Sequence, residues 1–156
     1  MYHRLNKMTT KLTNCPLCQN EETIPHLFKC QHRKQWRATT LHKLNNFLQT
    51  LQLPSSLQII IFNHTKILLE DPRHNQHFSH FSLFAGLLPL EWRIISPPTM
   101  KATQQLQWAT KLSKWYMEQG YELWKQRNTM IHEETNESNI HTILNQKIEH
   151  LYSLQT

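Results

Sequence analysis

The sequence predicts a mostly α-helical protein in which a small cysteine-bearing head joins a helical body that ends in two long C-terminal helices. Glycine occurs only at Gly86 and Gly120, too rarely for the tight hairpin turns of an all-β chain. Apolar side chains recur at steps of three and four residues over most of the chain, which is the spacing of a helical face. All three cysteines lie between residues 15 and 30, and this clustering sets the head apart.

The first long helix is expected to follow a turn that holds Cys15 and Cys18. Asn20 or Thr23 can cap it, and Glu21 and Glu22 would then occupy its first turn. It is expected to reach about residue 51, because its apolar residues keep a helical spacing after the first turns. These residues are Leu27, Trp36, Leu41, Leu44, Phe47, Leu48 and Leu51.

The middle of the chain starts with a break at residues 53–56. Residues 57–70 form either a buried helix or a strand, since three isoleucines follow one another there; the length and the preceding serines favour a helix. A loop at 71–75, a short apolar piece at 78–88 and a turn from Pro89 that holds Trp92 come next. Residues 96–98 are a proline-rich linker.

The last third predicts two helices, from residue 100 to about 132 and from 139 to 154, separated by the polar stretch 133–138. We expect them to pack through Trp108, Trp115, Leu123 and Trp124. The chain thus divides into a basic, cysteine-bearing head and its following helix (1–53), a central helical segment (54–96) and a C-terminal helical hairpin (97–156).

The charge of the chain is concentrated at its N-terminal end. The formal net charge is +6, and residues 1–53 hold eight Lys and Arg against only Glu21 and Glu22. Such an asymmetry favours an anionic partner, RNA or DNA rather than a membrane, although a solvated basic face without a partner is the alternative. No apolar stretch approaches the roughly 18 residues of a membrane span, so we expect a soluble, intracellular chain, nuclear or cytoplasmic.

Cys15, Cys18, His26 and Cys30 follow the spacing Cys-x2-Cys-x7-His-x3-Cys. Two cysteines on one turn and a His/Cys pair one helical turn apart can present four ligands to one Zn²⁺ ion. His32 is the alternative histidine, but it lies two residues after Cys30, and residues two apart on a helix do not point in the same direction. Because four protein ligands leave no open position for water, the spacing predicts a structural site.

Nothing in the sequence predicts catalysis, so we expect neither an enzyme nor a small-molecule substrate. The only aspartate is Asp71, whereas two-metal nucleases and polymerases need clustered carboxylates. The glutamate pairs 21–22 and 133–134 are interpreted as exposed helix-end charges. A zinc deaminase needs His-x-Glu before Pro-Cys-x-x-Cys, and that order is absent.

The Cys-Pro-Leu-Cys turn, the Glu22-Thr23 pair and the His-Leu-Phe-Lys-Cys run that ends at Cys30 resemble the zinc-binding domain at the C-terminal end of non-LTR (LINE-type) retrotransposon reverse transcriptases. The run Leu-Trp-Lys-Gln-Arg-Asn ending at Asn128 resembles the tail that often follows it. Many family members have one more residue between the histidine and the last cysteine. The resemblance implies a detached tail that helps to hold RNA or target DNA.

The residues expected to bind nucleic acid are Lys29, Arg33, Lys34, Trp36 and Arg37. The cations would contact phosphates, and Trp36 would stack on an unpaired base. Alternatively, Trp36 belongs to the core and its basic neighbours only flank it. The competing functional class is a protein-interaction or purely structural domain, and a third alternative is a pseudogene product without activity.

Overall fold

The computed structural model describes the backbone of residues 14–71, 80–95 and 100–153, and the side chains of those residues except 80, 81, 134–141 and 143–153. Within these ranges the mostly α-helical prediction is confirmed, since an isolated β-bridge between Asn14 and Glu21 is the sole strand-like pairing. Residues 1–13 of the predicted head, most of the 71–75 loop and the 96–98 linker lie outside them.

The elements follow one another along the chain as short and long helices. They are α1 (Ile24–Lys29), a 3₁₀ turn (Gln31–Arg33), α2 (Lys34–Thr50), α3 (Ser55–Glu70), α4 (His80–Phe84), α5 (Leu90–Ile94) and α6 (Ala102–Ser153). Residues 57–70 are therefore helical, as favoured over a strand. No helix in the described ranges is both long enough and apolar enough to cross a membrane.

The single helix predicted from about residue 20 to 51 is wrong, because the structure breaks it at Cys30. Cys30 has φ −49° and ψ 132°, an extended conformation that ends α1. Thr23 is the N-cap, so Glu21 and Glu22 lie before the helix and not in its first turn. The spacing of apolar residues in α2 continues that of α1, so the periodicity of the sequence does not indicate the break.

The predicted pair of C-terminal helices is one continuous helix, α6. Residues 133–138 are polar but contain neither glycine nor proline, and each of the other residue types costs a helix only a fraction of a kcal/mol. Trp108, Trp115 and Leu123 are buried as expected, whereas Trp124 is 51% exposed, so its assignment to the core is wrong. The chain has two compact units, one ending at Tyr121 and the other starting at Glu122; the three-part division stays a prediction.

The core of the first unit is a chain of aromatic rings. Phe28 of α1 stacks on Phe84 of α4 with ring centroids 4.8 Å apart, and Phe84 meets Tyr116 of α6 edge-on at 5.5 Å. Tyr116 is followed by Trp115 at 5.1 Å, and Trp115 stacks on Phe47 of α2 at 5.7 Å. These contacts tie the end of the cysteine-bearing head to the helical body.

Both glycines serve close approaches within this core. Gly86 follows α4 with φ +89°, a conformation that other residues rarely adopt, and its carbonyl accepts a 2.6 Å hydrogen bond from Ser113 Oγ. A Cβ on Gly120 would lie 2.8 Å from the carbonyl oxygen of Phe84. Gly120 thus allows the end of α4 to touch the backbone of α6.

Candidate metal centre

The first half of the site is the tight turn that contains Cys15 and Cys18. The amide of Cys15 donates to Asn20 O at 2.8 Å, and the amide of Gln19 donates back to Cys15 O, also at 2.8 Å. Gln19 closes the turn with φ 63°. These backbone bonds bring both cysteine side chains to the same side of the turn.

The second half of the site is α1. Thr23 accepts a 3.2 Å hydrogen bond from the amide of His26 and so starts the helix, and Pro25 occupies its first turn. Cys30 ends the helix, with its amide donating to His26 O at 2.8 Å. His26 and Cys30 therefore lie one turn apart.

The four side chains predicted as ligands converge on one point. The Sγ atom of Cys30 lies 3.8 Å from that of Cys15 and 3.9 Å from that of Cys18. Cys18 Sγ is 3.2 Å from His26 Nε2, and all four possible ligand atoms lie within 4.8 Å of one another. Cys15 and Cys30 are buried, while His32 is exposed and not part of the cluster. This group could hold a metal ion.

The thiols of the cluster differ in acidity. Burial raises the pKa of Cys15, but hydrogen bonds with the backbone at Leu17 and Cys18 and with His26 outweigh it, leaving a pKa of about 7. Burial also raises the pKa of Cys30, and hydrogen bonds with Cys15 and Cys18 keep it at about 11 despite the backbone at His32. A bound cation would ionise all three thiols.

Arg33 and Lys29, predicted as phosphate contacts, have partners within the protein. Arg33 is 5% exposed, and its Nη2 lies 3.6 Å from Oε1 of Glu22, whose side chain is 4% exposed. Lys29 is half-buried and donates to Asp71 O at 2.9 Å; burial lowers its pKa, which Asp71 partly restores. Glu22 was expected on an exposed turn, so that interpretation is wrong.

Arg37 and Trp36 are half-buried, and only Lys34 of the five predicted residues is exposed. Arg37 Nη1 donates to Phe28 O at 3.1 Å and to Cys30 O at 2.8 Å. The ring of Trp36 lies 6.0 Å from that of Phe28 and 5.9 Å from that of Phe84. The role of these five residues toward nucleic acid stays a prediction.

The motif near the C-terminal end has a local geometry of its own. Arg127 Nη1 donates to Asn128 Oδ1 at 3.1 Å, and both residues are half-buried on α6.

No family model, curated protein or solved structure matches the chain. The resemblance described above therefore rests on the motifs of the sequence.

Proposed function

We propose that this chain is a non-catalytic, zinc-stabilised module that binds RNA or DNA. The cluster of Cys15, Cys18, His26 and Cys30 supports the metal part of the proposal. A regular tetrahedron with bonds of about 2.3 Å, the usual Zn–S length, has edges of about 3.8 Å. The sulfur separations of 3.8 and 3.9 Å match that edge.

The donor set supports a structural role for the ion. Three thiolates and one imidazole complete the four-coordinate shell of zinc, whereas catalytic zinc keeps a position for water or substrate. The head is short, and its β-bridge and six-residue helix bury few apolar side chains apart from Phe28. Metal binding can stabilise such a fold by roughly 10 kcal/mol at neutral pH.

The observation that carries the nucleic-acid part of the proposal is the outer face of α2. No Asp or Glu occurs between Glu22 and Glu70. The exposed side chains of α2 are all polar or small, and none is acidic: Lys34, Gln35, Ala38, Thr39, His42, Lys43, Asn45, Asn46, Gln49 and Thr50. Lysines attract phosphates, and amides and hydroxyls donate hydrogen bonds to phosphates, sugars and bases.

The proposed contact surface is therefore the exposed face of α2, and it does not include the inward-facing Arg33 and Arg37. Lys34 stays in the contact and Lys43 joins it, while Arg33 and Arg37 are occupied inside the protein. The resemblance to the tail of LINE-type reverse transcriptases supports the same function and an intracellular location, and both belong to the proposal.

A protein-interaction module is the competing proposal, supported by the outer side of α5. Leu90 and Ile94 lie one helical turn apart and are 65% and 73% exposed. Leu87, three residues before Leu90 in the chain, is also an exposed apolar side chain. A patch of this kind suits an apolar protein surface better than a phosphate backbone.

The test is a salt titration of binding to a single-stranded RNA and a DNA of the same sequence. Replacing Lys34 and Lys43 by Gln removes two phosphate contacts, so the log–log slope should become shallower by about 1.4. The matched control replaces Lys114 and Lys125, two exposed lysines of α6, by Gln and should leave the slope unchanged.

Two results would overturn the proposal. Equal losses in the two double variants would refute the face of α2 as the contact surface. An absence of salt-dependent binding near physiological ionic strength would refute nucleic-acid binding as a whole and favour the protein-interaction module. Measuring RNA and DNA side by side also decides between the two nucleic acids.

A further inference from the structure

Arg37 links α2 to the end of α1 through two backbone carbonyl groups. Both protons of its Nη1 nitrogen are used, one on Phe28 O at 3.1 Å and one on Cys30 O at 2.8 Å. Carbonyl groups at the end of a helix lack partners within the helix, so an external donor stabilises the end of α1. Arg37 is half-buried, which strengthens these charge-assisted bonds.

The carbonyl that Arg37 holds belongs to a candidate ligand. Cys30 sits at the break between α1 and the 3₁₀ turn, and Cys30 O also accepts a 2.9 Å bond from the amide of Arg33. Two donors on one carbonyl fix the peptide plane that follows Cys30. Because the Cys30 side chain extends from the same Cα, this restraint limits where its sulfur can lie relative to Cys15 and Cys18.

The charge of Arg37 also suits this position. Three thiolates, a neutral imidazole and Zn²⁺ give a site with one net negative charge. Burial lowers the pKa of Arg37, and the negative charges of Cys30 and Glu70 oppose that lowering. A fixed cation beside a negative metal site stabilises the metal-bound state.

We propose that Arg37 is a positioning residue of the metal centre, holding the Cys30 ligand through the carbonyl groups of Phe28 and Cys30. This inference rests on the zinc site of the proposed function. It gives Arg37 a different role from the phosphate contact that its place in a basic run suggests. Residues that orient metal ligands typically change metal affinity by 10- to 100-fold when they are replaced.

The test measures the zinc affinity of the full chain by competition with a chromophoric chelator at constant pH. Arg37→Gln should raise the zinc Kd about 10- to 100-fold. Arg37→Lys keeps the charge on a side chain one bond shorter, so its Kd should fall between those of the wild type and Arg37→Gln. Lys34→Gln is the matched control, since this exposed lysine on the same helix has no contact with a ligand.

A spectrum separates positioning from general stability. With Co²⁺ in place of Zn²⁺, the visible ligand-field band reports the ligand geometry, and it should change in both Arg37 variants but not in Lys34→Gln. A Kd of Arg37→Gln within about two-fold of the wild type, or an equal loss in Lys34→Gln, would overturn the proposal. If Arg37→Gln does not fold, Arg37→Lys decides: wild-type affinity with an unchanged cobalt band refutes the role.

The same titration distinguishes this inference from the proposed function. A wild-type chain that binds no stoichiometric zinc refutes the metal centre itself. A wild type that binds one zinc together with an unaffected Arg37→Gln refutes the role of Arg37 alone.

Discussion

Thr65 of α3 and Tyr116 of α6 are joined by a hydrogen bond between their hydroxyl oxygens, which lie 2.6 Å apart in the core. Thr65 Oγ1 also lies 2.8 Å from the carbonyl oxygen of Ile61, to which it donates its only proton. The proton between the two hydroxyls therefore comes from Tyr116. This direction makes the two partners unequal.

The first prediction follows from that inequality. Tyr116→Phe removes a donor and leaves Thr65 bonded to Ile61, so it should lower the free energy of unfolding by about 1 kcal/mol. Thr65→Val leaves the buried Tyr116 hydroxyl without its acceptor and should cost more, about 1–3 kcal/mol. Urea denaturation measures both values. Thr129→Val is the control, because Thr129 makes the same bond to the carbonyl four residues earlier but is exposed; a larger loss in Tyr116→Phe than in Thr65→Val would contradict the assignment.

The second prediction concerns alkaline pH. Burial raises the pKa of Tyr116 far above its ordinary value. In the unfolded chain the phenol titrates near 10, so above about pH 10 the unfolded state loses a proton that the folded state retains. The stabilising contribution is complete below pH 10 and is lost above it, by about 1.4 kcal/mol per pH unit.

Tyr116→Phe lacks this titration and serves as the reference. The advantage of the wild type over Tyr116→Phe in urea denaturation should shrink between about pH 8 and pH 11. A difference that stays constant over this range would show that Tyr116 titrates equally in both states.

The convergence of the four candidate ligands could be predicted because their geometry is local. Cys15, Cys18, His26 and Cys30 lie on one turn and one short helix, where sequence spacing translates directly into position. The helical class was equally accessible, since a period of about 3.6 residues survives wherever a helix buries one side. The break at Cys30 could not be predicted, because it depends on one extended ψ angle and no residue type in the sequence marks that angle.

The directions of Arg33 and Arg37 could not be predicted from their basic neighbourhood. The partner of Arg33 is Glu22, which precedes α1 in the chain whereas Arg33 follows it. The partners of Arg37 are carbonyl groups at the end of α1. These groups come together only because the chain changes direction at Cys30, between α1 and α2. A basic run on a helix therefore splits between surface and interior, with Lys34 facing solvent.

The third prediction concerns the metal itself. Protein purified without added zinc should contain about one zinc per chain, and Cys18→Ser should lower this ratio sharply because one of four ligands is lost. His26→Ala should do the same, whereas His32→Ala should retain the full ratio, since His32 lies outside the cluster. Metal analysis by atomic emission measures the ratio. Full zinc retention in Cys18→Ser would refute the site.

The fourth prediction uses the contact between α4 and α6. Replacing an exposed helical glycine by alanine usually stabilises a helix by about 1 kcal/mol. At Gly120 the new Cβ would meet Phe84 O at 2.8 Å, an atom of the backbone that cannot rotate away. Gly120→Ala should therefore lower the free energy of unfolding, by about 1–3 kcal/mol, as overpacked cores do. A raised melting temperature would show that α4 shifts without cost.

The fifth prediction concerns the buried pair of Glu22 and Arg33. At 3.6 Å the two groups are in ionic contact at more than hydrogen-bond length, and Arg33 Nε has no hydrogen-bond partner among the described residues. Arg33→Met takes away the cation that faces Glu22 in this buried pair, so it should cost about 3–5 kcal/mol in urea denaturation with zinc in excess.

A double-mutant cycle isolates the pair. Arg33→Met combined with Glu22→Gln should cost less than the sum of the single changes, by about 1–3 kcal/mol, because the second change neutralises the carboxylate that Arg33 faced. Lys34→Met, at the adjacent exposed position, should stay within about 0.5 kcal/mol of the wild type. The salt dependence of RNA binding by Arg33→Met should equal that of the wild type, since its guanidinium faces Glu22. Additive stability changes together with a flattened salt slope would instead place Arg33 at the phosphate backbone.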